Sequence, residues 1–302
     1  MQHEIYLDNS ATTPVAEEVV QAMEPYWSVQ FGNPSSPHLR GVAAQKIVSS
    51  CRAQLAAILR AQPSELYFTG SGTEANNLAL QGVANAPFFL RNPGHIITTP
   101  VEHPSVLNVV KHLEKLGWEV TYLPVDRYGK ISPEEFLRHL RPNTKIVSVM
   151  LVNNELGTIN PVRQVGEIIQ RENQGRQHKI IFHVDAVQAL GHIPVKIPDL
   201  KAHLCTFSAH KIFGPKGIGL LYAHKDAQLR PIIFGGNQES GLRSGTENVP
   251  AIVGLTKAAQ LASDGLEENM AKLEQLKSAL VEGIRGIPDA QINSPEIGRA
   301  HV

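Results

Sequence analysis

An α/β fold is predicted by three observations. Helix-period segments alternate with short β-rich runs, the runs are bounded by glycine, proline or asparagine, and most runs pass through a polar or glycine-rich turn into another helix. With 302 residues, the chain is long enough to bury a sizeable core, either as one large domain or with a smaller partner. Thr13-Pro14 supplies a cap and first-turn proline for a first helix. Ser36-Pro37 opens a longer one running to about Arg60, with Val42, Ile47, Cys51, Leu55 and Ile58 on its apolar side. Strands are expected at Leu66–Thr69, His95–Thr99, Glu119–Leu123, Lys145–Val152, Lys179–Val184, Leu204–Phe207 and Gly217–Tyr222. Ser132-Pro-Glu-Glu135 has the pattern of a capping box. The composition shifts near Gly254, after which Leu255–Ile284 reads as a mostly charged amphipathic helix and a passage into a second domain.

Composition narrows the function. Lys+Arg and Asp+Glu are both 28, so there is no excess of one sign to bind nucleic acid, an anionic membrane or an acidic partner. No stretch approaches the ~20 apolar residues of a membrane span. The opening Met1-Gln-His-Glu-Ile-Tyr6 lacks the basic and apolar regions of a signal peptide, and a cytoplasmic location is expected. Cys51 and Cys205 are too few for a disulfide framework and lack metal-ligand spacing, so no metal is expected and both read as buried thiols.

In open α/β sheets ligands lie beyond the carboxyl ends of the strands, so the turns there are the places to look for chemistry. Phe68-Thr-Gly-Ser-Gly-Thr-Glu-Ala-Asn-Asn77 runs from a strand through glycines into a helix carrying Gly72 and Thr73 in its first turn. That is the form of a phosphate cradle, in which backbone N–H groups, the helix dipole and a hydroxyl meet an anion. The same residues also serve as ordinary turn and cap. Thr99-Pro-Val-Glu-His-Pro-Ser105 places His103 between strand and helix, where an imidazole can stack on a heteroaromatic ring and move protons, or be a plain turn histidine. In Val152-Asn-Asn-Glu-Leu-Gly157, Asn154 is either a donor to a substrate carboxylate or phenolic oxygen, or turn chemistry.

The remaining turns carry an informative pair. Asp185 ends the strand Ile180-Ile-Phe-His-Val-Asp185, where a carboxylate beside an apolar run needs a partner. Lys211 follows it by 26 residues, within Ser208-Ala-His-Lys211. An aldehyde cofactor such as pyridoxal phosphate needs such a pair, a lysine to form a Schiff base and a carboxylate to keep the pyridine nitrogen protonated. The alternatives are a structural salt bridge for Asp185 and a surface position for Lys211. Ser208 and His210 flank the lysine closely enough to share a phosphate group. Phe234-Gly-Gly-Asn-Gln-Glu-Ser-Gly-Leu-Arg-Ser-Gly-Thr-Glu-Asn248 offers Thr246 as a second phosphate donor or a plain loop residue.

Taken together these segments resemble the cysteine desulfurases of the NifS/IscS type, within the class V aminotransferase-like, fold-type I group of pyridoxal-phosphate enzymes. Tyr6-Leu-Asp-Asn-Ser-Ala-Thr-Thr13, Phe31-Gly-Asn-Pro-Ser-Ser36, Gly72-Thr-Glu-Ala-Asn-Asn77, Glu102-His103, Asn153-Asn-Glu155, His183-Val-Asp-Ala-Val-Gln188, Ser208-Ala-His-Lys211 and Arg243-Ser-Gly-Thr246 follow that family's pattern in order. The resemblance implies a mostly parallel mixed sheet sandwiched by helices. It divides the chain into a large cofactor-binding domain over residues 13–255 and an incomplete small α/β domain from residues 1–12 plus 256–302. By the same resemblance Lys211 is the Schiff-base lysine and proton shuttle, Asp185 the partner of the pyridine nitrogen, Gln188 the donor to the ring oxygen and His103 the stacking residue. Gly72, Thr73, Ser208 and His210 form the phosphate cup, and Thr246 reaches the other subunit's cup in a homodimer. Asn154 lies near the ring oxygen and the substrate carboxylate, and Asn33 is a weaker candidate for substrate contact. The implied reaction turns L-cysteine into L-alanine, with sulfur passed as an enzyme persulfide to iron–sulfur scaffold or tRNA-thiolation proteins.

Three departures accompany the resemblance. The family's sulfur-accepting cysteine and its substrate-gripping arginine lie beyond the position where this chain stops, so slow or absent desulfuration is expected of the chain as given. Gly236-Asn237 stands where a run of three glycines is usual. Glu296-Ile-Gly-Arg-Ala-His-Val302 back-translates to a stretch containing a common sequencing-adapter sequence, or is a native Arg-x-His-Val stretch cut at that point, and a longer gene product is expected on either reading. A selenocysteine lyase or class V aminotransferase shares the same cofactor site, and a non-catalytic subunit of this fold is the other alternative.

Overall fold

The computed structural model describes residues 5–295 and Gly298, so the adapter-like ending falls, Gly298 apart, outside the described residues. Seven strands form one sheet: β1 (Leu66–Thr69), β2 (His95–Thr98), β3 (Glu119–Tyr122), β4 (Thr144–Ser148), β5 (Ile181–Asp185), β6 (Leu204–Ser208) and β7 (Gly219–Ala223), in the order β1-β7-β6-β5-β4-β2-β3. β7 pairs antiparallel with both neighbours, and the other pairings are parallel. The carboxyl ends of six strands therefore open on one edge, where Gly219 begins β7. A side chain at Gly219 would meet the backbone of Ser71 at 2.5 Å, so only glycine lets β7 pass this close to the turn after β1.

Alternate strand residues feed two cores. Ile97, Val147, Phe182, Cys205 and Leu220 join one, with the helices Glu17–Met23, Leu39–Leu59, Val162–Glu172 and Val249–Asp264. Ile96, Ile146, Ile181, Leu204 and Leu221 join the other, with Gly72–Ala84 and Pro104–Lys115. This period of two, apolar on both faces, is what a sheet covered by helices on each side demands. Two histidines inside the sheet act as cross-strand spacers. His183 lies between Ser148 Oγ at 2.8 Å and Thr206 Oγ1 at 3.0 Å, and His95 between Thr144 Oγ1 at 2.9 Å and Thr121 Oγ1 at 2.8 Å. Burial lowers them to about 3 and about 4, so both are neutral near pH 7.

Four expected boundaries move, each for a local reason. Thr13 caps no helix; it is buried, its N–H and hydroxyl donating to the His210 carbonyl at 3.0 Å, and the helix begins at Glu17. The long helix spans Leu39–Leu59 with His38 at its N-cap, and Arg60 in left-handed backbone ends it. Val42 is exposed there, while Gly41, Ala44 and Val48 face the core. β4 stops at Ser148 because the next amide toward β2, Met150 N, bonds the Glu102 carboxyl instead, although Leu151 N still bonds the Asp185 carbonyl. The amphipathic stretch is two helices, Val249–Asp264 and Leu266–Arg285, broken at Gly265. The second has no fully buried residue.

Candidate active site

The turns at the carboxyl edge enclose a cavity of about 620 Å³. Gly72, Thr73, His103, Asn154, Asp185, Gln188, Ser208, His210 and Lys211 all line it. Two sequence-derived candidates do not. Asn33 is exposed in a turn, its Oδ1 accepting from Ser35 N at 2.9 Å, and Thr246 is exposed in the loop before the helix Val249–Asp264.

Each wall is built by a local rule. Ser71 caps Gly72–Ala84 by accepting from Glu74 N at 3.0 Å, which leaves the first-turn amides of Gly72 and Thr73 at the cavity. A side chain at Gly72 would press on Val187 at 3.1 Å and Ser208 at 3.2 Å, so glycine keeps the Gly72 and Ser208 walls together. His103 caps the helix Pro104–Lys115, its Nδ1 accepting from Ser105 N at 3.1 Å, so in the neutral ring Nε2 carries the proton. Burial, reinforced by Lys211 and Lys216, lowers His210 to about 4, and its Nδ1 lies 3.1 Å from Thr12 Oγ1.

Asp185 is the buried carboxyl of the site. Burial raises its pKa, opposed by donors from Val187 N at 3.0 Å and Asn76 Nδ2 at 2.8 Å and by the nearby His103 and Lys211. Asn76 also donates to Ser105 Oγ at 2.8 Å, and Ser105 Oγ lies 2.7 Å from His103 Nδ1. One continuous network thus links the carboxylate on β5 to the imidazole at the helix cap. Sequence reasoning did not single out Asn76 or Ser105. The available signal was Asn76 on the buried face of a helix one turn after Gly72, where a fully buried amide requires partners.

Across the cavity, Lys211 Nζ donates to the carbonyls of Ser10 and Ala11, both at 2.6 Å. Gln188 Nε2 donates to the same Ser10 carbonyl at 2.9 Å. The N-terminal segment therefore lies across the lysine as a strap, a role for Ser10 and Ala11 that no side-chain motif announces.

Residues 5–301 match the class-V aminotransferase family. The chain belongs to that family. A cysteine desulfurase IscS of Methanosarcina thermophila is 47% identical over 290 residues, spanning 96% of this chain and 70% of the relative. Among solved structures, a NifS-like protein superposes with a TM-score of 0.93 at 40% identity, covering 98% of this chain and 79% of that one. SspA in complex with cysteine superposes with a TM-score of 0.81 at 39% identity, covering 85% and 72%. The architecture agrees with the fold-type I arrangement that the sequence implies, a mixed, mostly parallel sheet between helices.

The class-V chain has a donor set that fits pyridoxal phosphate. A wholly buried carboxyl suits a protonated ring nitrogen, a flat imidazole suits the ring face, and a primary amine suits the aldehyde. Two helix-first-turn amides with the side chains of Thr73, Ser208 and His210 suit the phosphate. Neither cysteine lines the cavity. Both are buried, and burial raises both thiols. Iodoacetamide near neutral pH should therefore leave Cys51 and Cys205 unmodified in the native chain while labelling both in urea, as read by mass spectrometry. Rapid native labelling of either would contradict this assignment.

Proposed function

We propose that this chain is a pyridoxal-phosphate-dependent cysteine desulfurase acting on L-cysteine and releasing L-alanine. The single observation that carries the reading is the convergence of Lys211, Asp185 and His103 on one cavity with the Gly72–Thr73 cradle. The cofactor, when bound, supplies an electron sink that stabilises negative charge at the substrate Cα. Asp185 supplies the negative charge opposite the ring nitrogen, kept in place by Asn76 and Val187 N. His103, Gln188 and Asn154 line the same cavity, where His103 would hold the ring and Gln188 with Asn154 would provide donors to the ring oxygen and substrate carboxylate. Lys211 Nζ, once it leaves the Ser10 and Ala11 carbonyls, moves the proton at the substrate Cα.

Since Cys51 and Cys205 lie outside the cavity, the sulfur acceptor in this reading is a different thiol. Passage onward to an iron–sulfur scaffold or tRNA-thiolation protein is part of the same proposal. So is a homodimer, supported by exposed Trp27, Phe31, Leu39 and Phe234 and by an exposed Thr246 that does not line its own chain's cavity. The division into residues 13–255 and residues 1–12 with 256–302 is also part of the proposal, with the break placed nearer Gly265, since Ala258 and Ala259 still lie in the main core while Leu266–Arg285 buries no residue. A cytoplasmic setting without direct membrane or nucleic-acid partners is supported by balanced charge, and among the described residues no helix is long and apolar enough to cross a membrane.

The test is product analysis of the cofactor-loaded protein with L-cysteine and dithiothreitol as sulfur acceptor. The expected result is one alanine and one sulfide per cysteine, with one dithiothreitol oxidised to its disulfide. A keto acid product would move the chain to the aminotransferases, and reaction only with selenocysteine to the lyases.

A further inference from the structure

Glu102 is a second fully buried carboxyl behind the ring site, and the proposed reaction gives it no task. It sits between β2 and His103, and only 3% of its surface is exposed. Its Oε1 accepts from Thr99 Oγ1 at 2.9 Å and from Met150 N at 2.9 Å, tying the end of β2 to the chain beyond β4. Its Oε2 has no hydrogen-bond partner among the described residues. No cation pairs with it in the ion pairs formed by the described residues. Asp185 on β5 is the charged group that acts on it, with the same sign. His103, its chain neighbour, hydrogen-bonds Ser105, and His183 on β5 is held neutral between Ser148 and Thr206. A carboxylate buried with one bare oxygen and a like charge nearby is strongly disfavoured over the neutral acid.

We infer that Glu102 is a positioning residue that works as a neutral carboxylic acid, fixing the His103 turn without placing a second negative charge beside Asp185. The neutral acid keeps both Oε1 bonds and adds no second charge. Burial pushes its pKa up to about 8, with Asp185 adding to the shift, so the acid form persists at neutral pH. The consequence for the ring rests on the cofactor reading given above, but the charge state of Glu102 does not.

The experiment compares the wild-type chain with Glu102→Gln, an isostere that presents the same acceptor to Thr99 and Met150. The first readout is the melting temperature of cofactor-free protein across pH 5 to 9. An acid whose folded pKa is raised stabilises fully below its unfolded pKa of about 4.5, and that contribution is lost as pH rises through about 8. The two proteins should therefore melt together near pH 5, and E102Q should melt higher above pH 8. The second readout is pyridoxal-phosphate affinity, expected to fall in wild type by about tenfold per pH unit above 8 relative to E102Q. A protonated-carboxyl infrared band in wild type, absent in E102Q, is the third. Parallel melting curves with no such band, or an E102Q chain that fails to fold, would overturn the inference. Failure of the cofactor reading alone would abolish the second readout and leave the first and third intact.

Discussion

Replacing Lys211 with alanine should abolish covalent retention of pyridoxal phosphate and lower alanine formation from L-cysteine by about 10²–10⁴-fold through the lost proton transfer alone. Nothing else lining the cavity supplies a primary amine, so neighbouring groups cannot restore the step. Lys211→Arg is the informative control. Its guanidinium still offers donors to the Ser10 and Ala11 carbonyls and keeps the charge, but it cannot condense with an aldehyde or act as a base near neutral pH. Both variants should lose the lysine-bound absorbance and the borohydride-fixed mass increment, while K211R should keep the cofactor-free melting temperature. Normal turnover in either variant would remove Lys211 from the mechanism.

Asp185→Asn should produce opposite effects with and without cofactor. In the cofactor-free chain the carboxyl is wholly buried, and desolvation raises its pKa above the ordinary aspartate value. The folded state thus holds the proton to higher pH than the unfolded chain does. The stabilising contribution is full below the unfolded pKa and is lost as pH rises through the folded one. Asparagine occupies the same volume without charge, so the cofactor-free variant should melt on the order of a few degrees higher than wild type near neutral pH. With cofactor the ranking should reverse, because the amide offers no negative charge opposite the ring nitrogen. Turnover should fall by about 10²–10³-fold, the usual cost of deleting one aimed electrostatic partner. Thermal melts with and without pyridoxal phosphate check both halves, and a cofactor-free D185N chain that melts lower at neutral pH would refute the first.

Much of this site was legible in the sequence because its residues sit at strand ends, where turn chemistry and hydrophobic runs mark position. The run Ile180–Val184 has to be a buried strand, which places Asp185 at its carboxyl end, and Ser208-Ala-His-Lys211 follows β6 by the same logic. All seven strands fall within a few residues of their expected limits for this reason. The cross-chain ties were not legible. Thr13 has the local pattern of a cap, yet the His210 carbonyl claims its hydroxyl from 197 residues away. Asn76 and Ser105 belong to no motif of their own, and their task is set only when the fold brings Asn76 within reach of both Asp185 and Ser105. Glu239 gives no local sign of its place: it pairs with Arg52 at 2.7 Å and receives the Phe68 amide at 2.8 Å, pinning a loop with several left-handed residues. Such bonds depend on topology, which local periodicity does not encode.

The strap over Lys211 imposes an order in time. The bond from Lys211 to the Ser10 carbonyl joins residues 201 apart, so during synthesis one partner leaves the ribosome long before the other exists. At about 5–20 residues per second the first dozen residues wait roughly ten to forty seconds for the lysine that will claim them. Through that interval Ser10 and Ala11 are without their lysine donor, and the residues of β1 to β6 are all added before or with it. The active site is thus among the last parts of the nascent domain to close. The beginning of the chain is folded onto the molecule only after some two hundred further residues have been made.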